Sequence, residues 1–264
     1  MKKSIITQKS AAFTLAEVLI TLGIIGVVAA MTIPTLIANT QGQRVRSQFK
    51  KTLSTLNQAG KMAQAQYDWD FANIDNGCKY LGSNELPTSE NLNPETQHSL
   101  CALLAGTLKG GSFSKGVLLN NAYPTTKIIS PSLNSSDILG TYYYYTLADG
   151  AKIIYYSNIE KCLLSSGSVI GSEILSRQYS ASQGGSNPSP EIQGLKQCIG
   201  YIDVNGTSLP NKEVTCADGT AALDPQNPCV VSNKNIGDII PVVFHDGVVE
   251  PATNAGKYLL NTAK

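Results

Sequence analysis

A single carboxylate, Glu17, stands at the head of a long apolar run. The twenty residues from Val18 to Ile37 contain no charged side chain. As a helix they would rise roughly 30 Å, the thickness of the hydrocarbon core of a membrane. A carboxylate there costs on the order of a few kcal/mol, so we expect Glu17 to have a partner or a functional role.

Six cysteines form the second reactive group, and all of them follow the apolar run. Their even number and the absence of any CxxC pair favour disulfides in an oxidising compartment over free structural thiols. Zinc is disfavoured because His98 and His245 are the only histidines and neither lies near a cysteine pair. Fifteen pairings are possible, and the sequence alone does not choose among them. We expect the sequential pairing, in which each bond closes a modest loop: Cys78–Cys101, Cys162–Cys198 and Cys216–Cys229.

The remaining residue patterns do not indicate catalysis. The chain has no glycine-rich phosphate loop, no HExxH and no G-x-S-x-G. Its net charge is +1, and only 15% of its residues are charged, which argues against a nucleic-acid surface spread over the body. We therefore predict no enzyme, no cofactor and no nucleic-acid partner.

The apolar run continues into an amphipathic pattern. Small or apolar residues recur at steps of 4, 4, 3, 4 and 3, which is the spacing of one helical face: Val45, Phe49, Leu53, Leu56, Gly60 and Ala63. This predicts one long helix from about Thr14 to Gln66, whose second half packs against a globular body. Pro34 should kink or loosen it. Small residues at 23, 26, 29 and 30 would let another helix approach, unless they only reflect the usual composition of spanning helices.

The body is predicted to be rich in strands. Residues 141–146 and 151–156 flank an Asp-Gly turn, and residues 239–244 and 248–249 flank another, so each pair predicts a β-hairpin. On the first hairpin we expect alternate tyrosines to face core and solvent. In the second, Pro241 suggests an edge strand. The expected fold class is α+β, with the long helix packed on a C-terminal antiparallel β-sheet.

The segment from Ala12 to Ile20, AFTLAEVLI, resembles the leader of type IV prepilins and type II secretion pseudopilins. Three lysines precede it, at positions 2, 3 and 9. The resemblance implies that prepilin peptidase cuts between Ala12 and Phe13 and that Phe13 is then N-methylated. Glu17 becomes the fifth mature residue, and Pro34 falls where the family often has a proline. The family usually has glycine before the cut, so Ala12 departs from its pattern.

The same resemblance implies a pilin-like fold and a role in assembly. Residues 1–12 would be the leader, 13–66 the long helix with a membrane span at about 15–37, and 67–264 the disulfide-bearing extracytoplasmic domain. The chain would be a single-pass inner-membrane protein with a cytoplasmic N-terminus. It would then become a structural subunit, a minor pilin or pseudopilin, of a periplasmic or cell-surface filament. Its partners would be prepilin peptidase and other pilin or pseudopilin subunits, and Glu17 would pair with the Phe13 amino group of a neighbour.

A C-terminal pattern adds a metal hypothesis. Asp203-Val-Asn-Gly206, Pro210-Asn211 and Gly237-Asp238 resemble a pattern of pilin-like proteins, and some pseudopilins bind calcium in a C-terminal loop. By that resemblance Asp203, Asn205 and Asp238 would supply the oxygen ligands that calcium needs. The alternative is that these side chains cap turns.

Other interpretations of the N-terminus stay open. An ordinary signal peptide could be cut after Ala30, which would release a soluble protein beginning at Met31. The apolar helix could also be a plain anchor with no role in assembly. In that class the chain would be a membrane-anchored binding protein, either an adhesin or a DNA-uptake factor, or, least favoured, a tethered enzyme.

Overall fold

The computed structural model describes residues 14–78, 91–116, 142–157, 159–163, 198–218 and 229–261. The leader, including the predicted cleavage and methylation positions Ala12 and Phe13, lies outside the described residues. By its internal contacts the chain divides into two units, Met1–Gln41 and Gly42–Lys264. The first unit contains the apolar half of the N-terminal helix.

The predicted long N-terminal helix is confirmed. Helix α1 begins at Leu15 and ends at Tyr67, a length of 53 residues. In its second half the residues on the predicted inward face are buried, because they recur every third or fourth position and so lie on one side of the helix. Of the predicted residues, Val45 is half-buried and the others are buried: Phe49, Leu53, Leu56, Gly60 and Ala63. Ala59, which was not predicted, is buried as well. A 3-10 helix, Phe71–Asn73, follows α1.

The body contains a six-stranded sheet whose strands are adjacent in chain order. Every neighbouring pair is antiparallel. The strands are β1 (Ser112–Gly116), β2 (Tyr142–Thr146), β3 (Lys152–Tyr156), β4 (Ile199–Asp203), β5 (Ile239–His245) and β6 (Val248–Pro251). Two short helices complete the described elements, α2 (Leu100–Thr107) and α3 (Asn254–Asn261). The predicted α+β class, with a long N-terminal helix and an antiparallel sheet, is confirmed.

The tyrosines of β2 are not divided between core and solvent as expected. All four, from Tyr142 to Tyr145, are at most 5% exposed. On one face the Tyr145 hydroxyl donates to the Leu108 carbonyl at 3.2 Å, and on the other the rings of Tyr142 and Tyr156 lie 4.4 Å apart. Because both faces of the strand are covered, alternation along it does not separate buried from exposed residues.

Pro241 is not on an edge strand. Strand β5 pairs with both β4 and β6, and the two edges of the sheet are β1 and β6. The Pro241 carbonyl accepts a bond from the Ala252 amide at 2.9 Å, on the β6 side. In an antiparallel ladder the amide and carbonyl of one residue face the same neighbour. The missing N–H of Pro241 therefore faces the place where β6 ends, at Pro251, and not the β4 ladder.

Three disulfides join the six cysteines in the sequential order. The Cα–Cα distances are 5.1 Å for Cys78–Cys101, 5.6 Å for Cys162–Cys198 and 5.3 Å for Cys216–Cys229. All three fall within the range that a disulfide spans. The first ties the segment after α1 to α2, and the second ties the segment after β3 to the start of β4.

Candidate functional site: the N-terminal helix

The first half of α1 is a continuous apolar surface. Thirteen large apolar side chains between Leu15 and Ile37 are each between 45% and 80% exposed. Within the described residues, α1 is the one helix that is long and apolar enough to cross a membrane by length and composition. So large a contiguous apolar surface marks a region that is covered by lipid or by a protein partner.

Glu17 is held by the start of its own helix. Its carboxylate accepts from the Thr14 amide at 2.9 Å and from the Thr14 hydroxyl at 2.7 Å. The Thr14 hydroxyl oxygen also accepts from the Glu17 amide at 3.3 Å. This reciprocal pattern is a capping box, which satisfies amide groups that the first turn of a helix leaves without partners. In the single chain, therefore, Glu17 is a cap as well as a charge.

Polar groups in the apolar half are satisfied within the helix. The hydroxyls of Thr21, Thr32 and Thr35 donate to the carbonyls of residues 18, 28 and 32 at 2.8–2.9 Å. Pro34 lies inside α1 and has no N–H to donate. Hydroxyls that bond back to their own helix can lie in hydrocarbon without an external partner. Apart from Glu17 and the Ala30 carbonyl, to which Pro34 cannot donate, the segment thus meets the chemical requirement for a membrane or a filament interior.

The second half of α1 is fixed to the edge of the sheet by Asn57. Its side-chain amide donates to the Val249 carbonyl at 2.9 Å, and its side-chain oxygen accepts from the Val249 amide at 2.8 Å. Val249 lies in β6, an edge strand. Asn57 therefore pairs with this edge as another strand would, and it covers backbone groups that an open edge exposes.

Two further contacts fix α1 on the body. A Cβ atom added at Gly60 would lie 2.8 Å from the Gly247 carbonyl oxygen and 2.8 Å from Phe71, so helix and turn are in direct backbone contact. Lys51 forms a 2.7 Å ion pair with Asp149 in the β2–β3 turn. That pair is exposed and contributes little to stability, so the close backbone contact is the stronger constraint.

The residues predicted to bind calcium lie around one loop. The Asp238 carboxylate accepts from the Asn211 amide at 2.9 Å and from the Lys212 amide at 2.7 Å. Asp203 accepts from the Asn205 amide at 3.1 Å. Burial raises the pKa of Asp238, although these amide bonds act in the opposite direction. The carboxylates hold the backbone of the loop in place, as the capping alternative requires.

These residues do not form a closed metal cage. Both oxygens of Asp238 already accept amide hydrogen bonds. Within the residues that the structure describes, no group of three or more His, Cys, Asp or Glu side chains is placed to hold a metal ion. Calcium binding by Asp203, Asn205 and Asp238 stays a prediction.

His245 closes the β5–β6 turn between two carboxylates. Its Nδ1 lies 3.1 Å from Asp246 and its Nε2 lies 3.2 Å from Glu250. A carboxylate only accepts hydrogen bonds, so both bonds form only when the ring carries two N–H groups, as the imidazolium does. The same turn holds the body together, since the Asp246 carbonyl accepts from Phe71 at 3.0 Å and its amide donates to Cys162 at 2.7 Å.

We expect the free energy of unfolding to fall as the pH rises above the unfolded pKa of His245, near 6.5. The hydrogen bond to Glu250 is the main cause that raises the pKa of His245, and burial opposes it. The folded chain therefore binds this proton more tightly than the unfolded chain. The stabilisation from this proton is fully present below the pKa of His245 in the unfolded chain, near 6.5. It is lost as the pH rises through the higher pKa of His245 in the folded chain.

Urea unfolding followed by fluorescence of Trp69, the single tryptophan, measures this dependence. His245→Gln should flatten the slope. Other charges near the turn are Asp70 directly before the 3-10 helix, Lys61 on α1, and Glu160 and Lys161 before Cys162. None of them has a hydrogen bond or ion pair with the ring among the described contacts. An unchanged slope in His245→Gln would contradict the assignment.

Sequence reasoning missed three of these residues. The capping signal of Thr14 was present, because a threonine three residues before a glutamate at the head of an apolar run is its usual form. Asn57 and His245 gave no local signal, since their partners Val249 and Glu250 are set by the position of β6.

Comparison with known proteins gave one match. The family model described as the prokaryotic N-terminal methylation motif matches residues 7–33. Neither the comparison with curated proteins nor that with solved structures gave a match. The matched residues include Glu17 and the first part of the exposed apolar half of α1. The chain therefore carries a prokaryotic N-terminal methylation motif, which supports a leader like that of type IV pilins and pseudopilins.

Proposed function

We propose that this protein is a structural subunit, a minor pilin or pseudopilin, of a type IV pilus-like filament or a type II secretion pseudopilus. The observation that carries the proposal is the methylation motif at residues 7–33 on a helix whose apolar half is uncovered. A signal peptide is cut off, so it does not need to be continuous with a helix of the protein core. Helix α1 does continue into the core of the body, where Phe49 and Leu56 are buried.

In this proposal the apolar half of α1 has two successive environments. It first spans the inner membrane, with the body outside the cytoplasm. Prepilin peptidase then cuts between Ala12 and Phe13, Phe13 is N-methylated, and the helix joins other subunits in a filament core. In both environments the thirteen exposed apolar side chains are kept from water, at about 1.5–3 kcal/mol each. Because lipid is as apolar as a filament core, close packing and specific contacts between helices must favour the filament over the membrane. Each contact is head-to-tail, and repeating it generates a helical filament.

Glu17 would change partners during assembly. In the single chain it is bonded to Thr14. In the filament it would give up part of that cap and pair with the Phe13 amino group of a neighbour. Desolvation offsets much of the attraction between two buried charges, so the value of this pair is axial register more than net stability.

Mass spectrometry of the mature N-terminus tests the proposal. The chain recovered from cells that contain prepilin peptidase should begin at Phe13 with an added N-methyl group. Cells without the peptidase should yield the uncut precursor, and Ala12→Glu should remain uncut in both. A chain that begins at Met31 would indicate ordinary secretion and refute the proposal. Sheared filaments that lack a correctly processed chain would instead favour a membrane-anchored binding protein.

A further inference from the structure

The charges of α1 are separated along its length. Between Glu17 and Asp68 the chain has no acidic residue, whereas it has five basic ones, at positions 44, 46, 50, 51 and 61. The rest of the chain, residues 68–264, has twelve basic and eighteen acidic side chains, a net charge of −6. The second half of α1 is therefore cationic, and it connects the apolar first half to a body with a net negative charge.

Three of the five bases form what we call the basic collar, defined as Arg44, Arg46 and Lys50. Arg44 and Lys50 are exposed and Arg46 is half-buried. Lys51 differs, because it is paired with Asp149 at 2.7 Å. Among the described residues, no carboxylate forms an ion pair with any member of the basic collar. Its charge is available to an external anion.

The position of the basic collar indicates which anion. Arg44 follows Ile37, the last residue of the apolar run, by seven residues of α1. At the rise of an α-helix this is roughly 10 Å. The headgroup layer extends about 5–8 Å beyond the hydrocarbon core, and the side chain of an arginine reaches several ångströms further. With the run in the hydrocarbon, the first collar residues meet lipid phosphates.

We infer that the basic collar binds the phosphate groups of anionic phospholipids while the subunit waits in the membrane. This inference rests on the proposed function, because it needs α1 to span the membrane. Arginine can contact phosphate through two parallel N–H bonds, and lysine adds a point charge. Residues 68–264, with a net charge of −6, are repelled by the same anionic surface, so the attraction comes from the basic collar.

Native mass spectrometry of the processed full-length chain tests the inference. The chain is extracted in detergent with equal amounts of phosphatidylglycerol and phosphatidylcholine, and the retained lipids are counted. The wild type should retain phosphatidylglycerol preferentially. The variant with Arg44→Gln, Arg46→Gln and Lys50→Gln should lose most of this preference, by about fivefold for each of the two arginines. Lys50 lies roughly 20 Å beyond Ile37 along α1, outside the headgroup layer, and should add less. Salt at about 0.5 M should weaken it in the wild type.

Lys61→Gln is the matched control. Lys61 is an exposed base on the same helix, eleven residues beyond Lys50, or roughly 16 Å further from the apolar run. The Lys61→Gln variant should retain the wild-type preference for phosphatidylglycerol. Trp69 fluorescence in urea checks that all variants are folded.

Several results would overturn the inference. These are a wild type without lipid preference, an equal loss in Lys61→Gln, or a triple variant that keeps the preference. A triple variant that keeps it but fails to enter filaments would assign the collar to carboxylates of a neighbouring subunit instead. Carbonate extraction separates this test from the proposed function: a wild-type chain that leaves the membrane refutes the span itself, whereas a retained chain without preference refutes the collar alone.

Discussion

Glu17→Gln is expected to leave α1 capped and inserted in the membrane while lowering filament incorporation about tenfold or more. Glutamine can replace glutamate in a capping box, because its side-chain oxygen still accepts from the Thr14 amide. What it loses is the negative charge that would pair with the amino group of a neighbouring Phe13. A tenfold loss corresponds to about 1.4 kcal/mol, which is within the range of one charge-assisted hydrogen bond.

The capping box supplies the control variants for this experiment. Thr14→Val keeps the charge and removes the hydroxyl of the box, so it should weaken the first turn and leave most assembly intact. Glu17→Ala removes both cap and charge and should be at least as defective as Glu17→Gln. Incorporation is measured as the ratio of this chain in sheared filaments to that in membranes. Normal incorporation of Glu17→Gln, together with a defect in Thr14→Val, would show that Glu17 acts only as a cap.

Gly60→Ala is expected to lower the free energy of unfolding of the body by about 2 kcal/mol. Helix propensity alone predicts the opposite sign, since alanine is favoured over glycine inside a helix by about 1 kcal/mol. The structure opposes that gain, because the new Cβ would lie 2.8 Å from the backbone oxygen of Gly247. Overpacking costs about 1–3 kcal/mol, and a backbone atom in a tied turn gives way less than a side chain.

The Gly247 turn is tied on several sides. Its neighbour Asp246 is bonded to Phe71 and Cys162, and Val249 beyond it is bonded to Asn57. The strain is therefore expected to reach the docking of α1 on the sheet and not to remain local.

Urea unfolding of the detergent-solubilised chain, followed by Trp69 fluorescence, measures the effect, and we expect a midpoint lower by about 1 M. Gly26→Ala is the matched control. It places the same substitution in the same helix at a position with nothing within 4 Å of the new Cβ, so the midpoint should not fall. A stabilised Gly60→Ala would mean that the turn moves freely away from α1.

A helix that is apolar at one end and built into the body at the other suits a subunit that assembles. Asn57, in its second half, joins it to β6, and in the proposed function its exposed first half would contact lipid or other subunits. The effects of substitutions at Gly60 and at Glu17 should therefore be distinguishable by experiment. The first should alter the stability of the body, and the second should alter incorporation into filaments.

The sequence by itself determined the long helix, its apolar half, its inward face and the leader motif. Each of these depends on residues close together in the chain: an uncharged run behind Glu17 that is long enough to span hydrocarbon, and apolar residues every third or fourth position. The hairpins around Asp149-Gly150 and Asp246-Gly247 could be predicted for the same reason, because their turns are local.

Only the tertiary structure decided how these elements meet. It covers both faces of β2 and so buries four successive tyrosines, and it places Pro241 inside the sheet with its missing donor beyond the end of β6. It brings Asn57 to Val249, 192 residues away, and surrounds His245 with two carboxylates. Such contacts depend on strand order and on the position of α1, and no local pattern encodes either one.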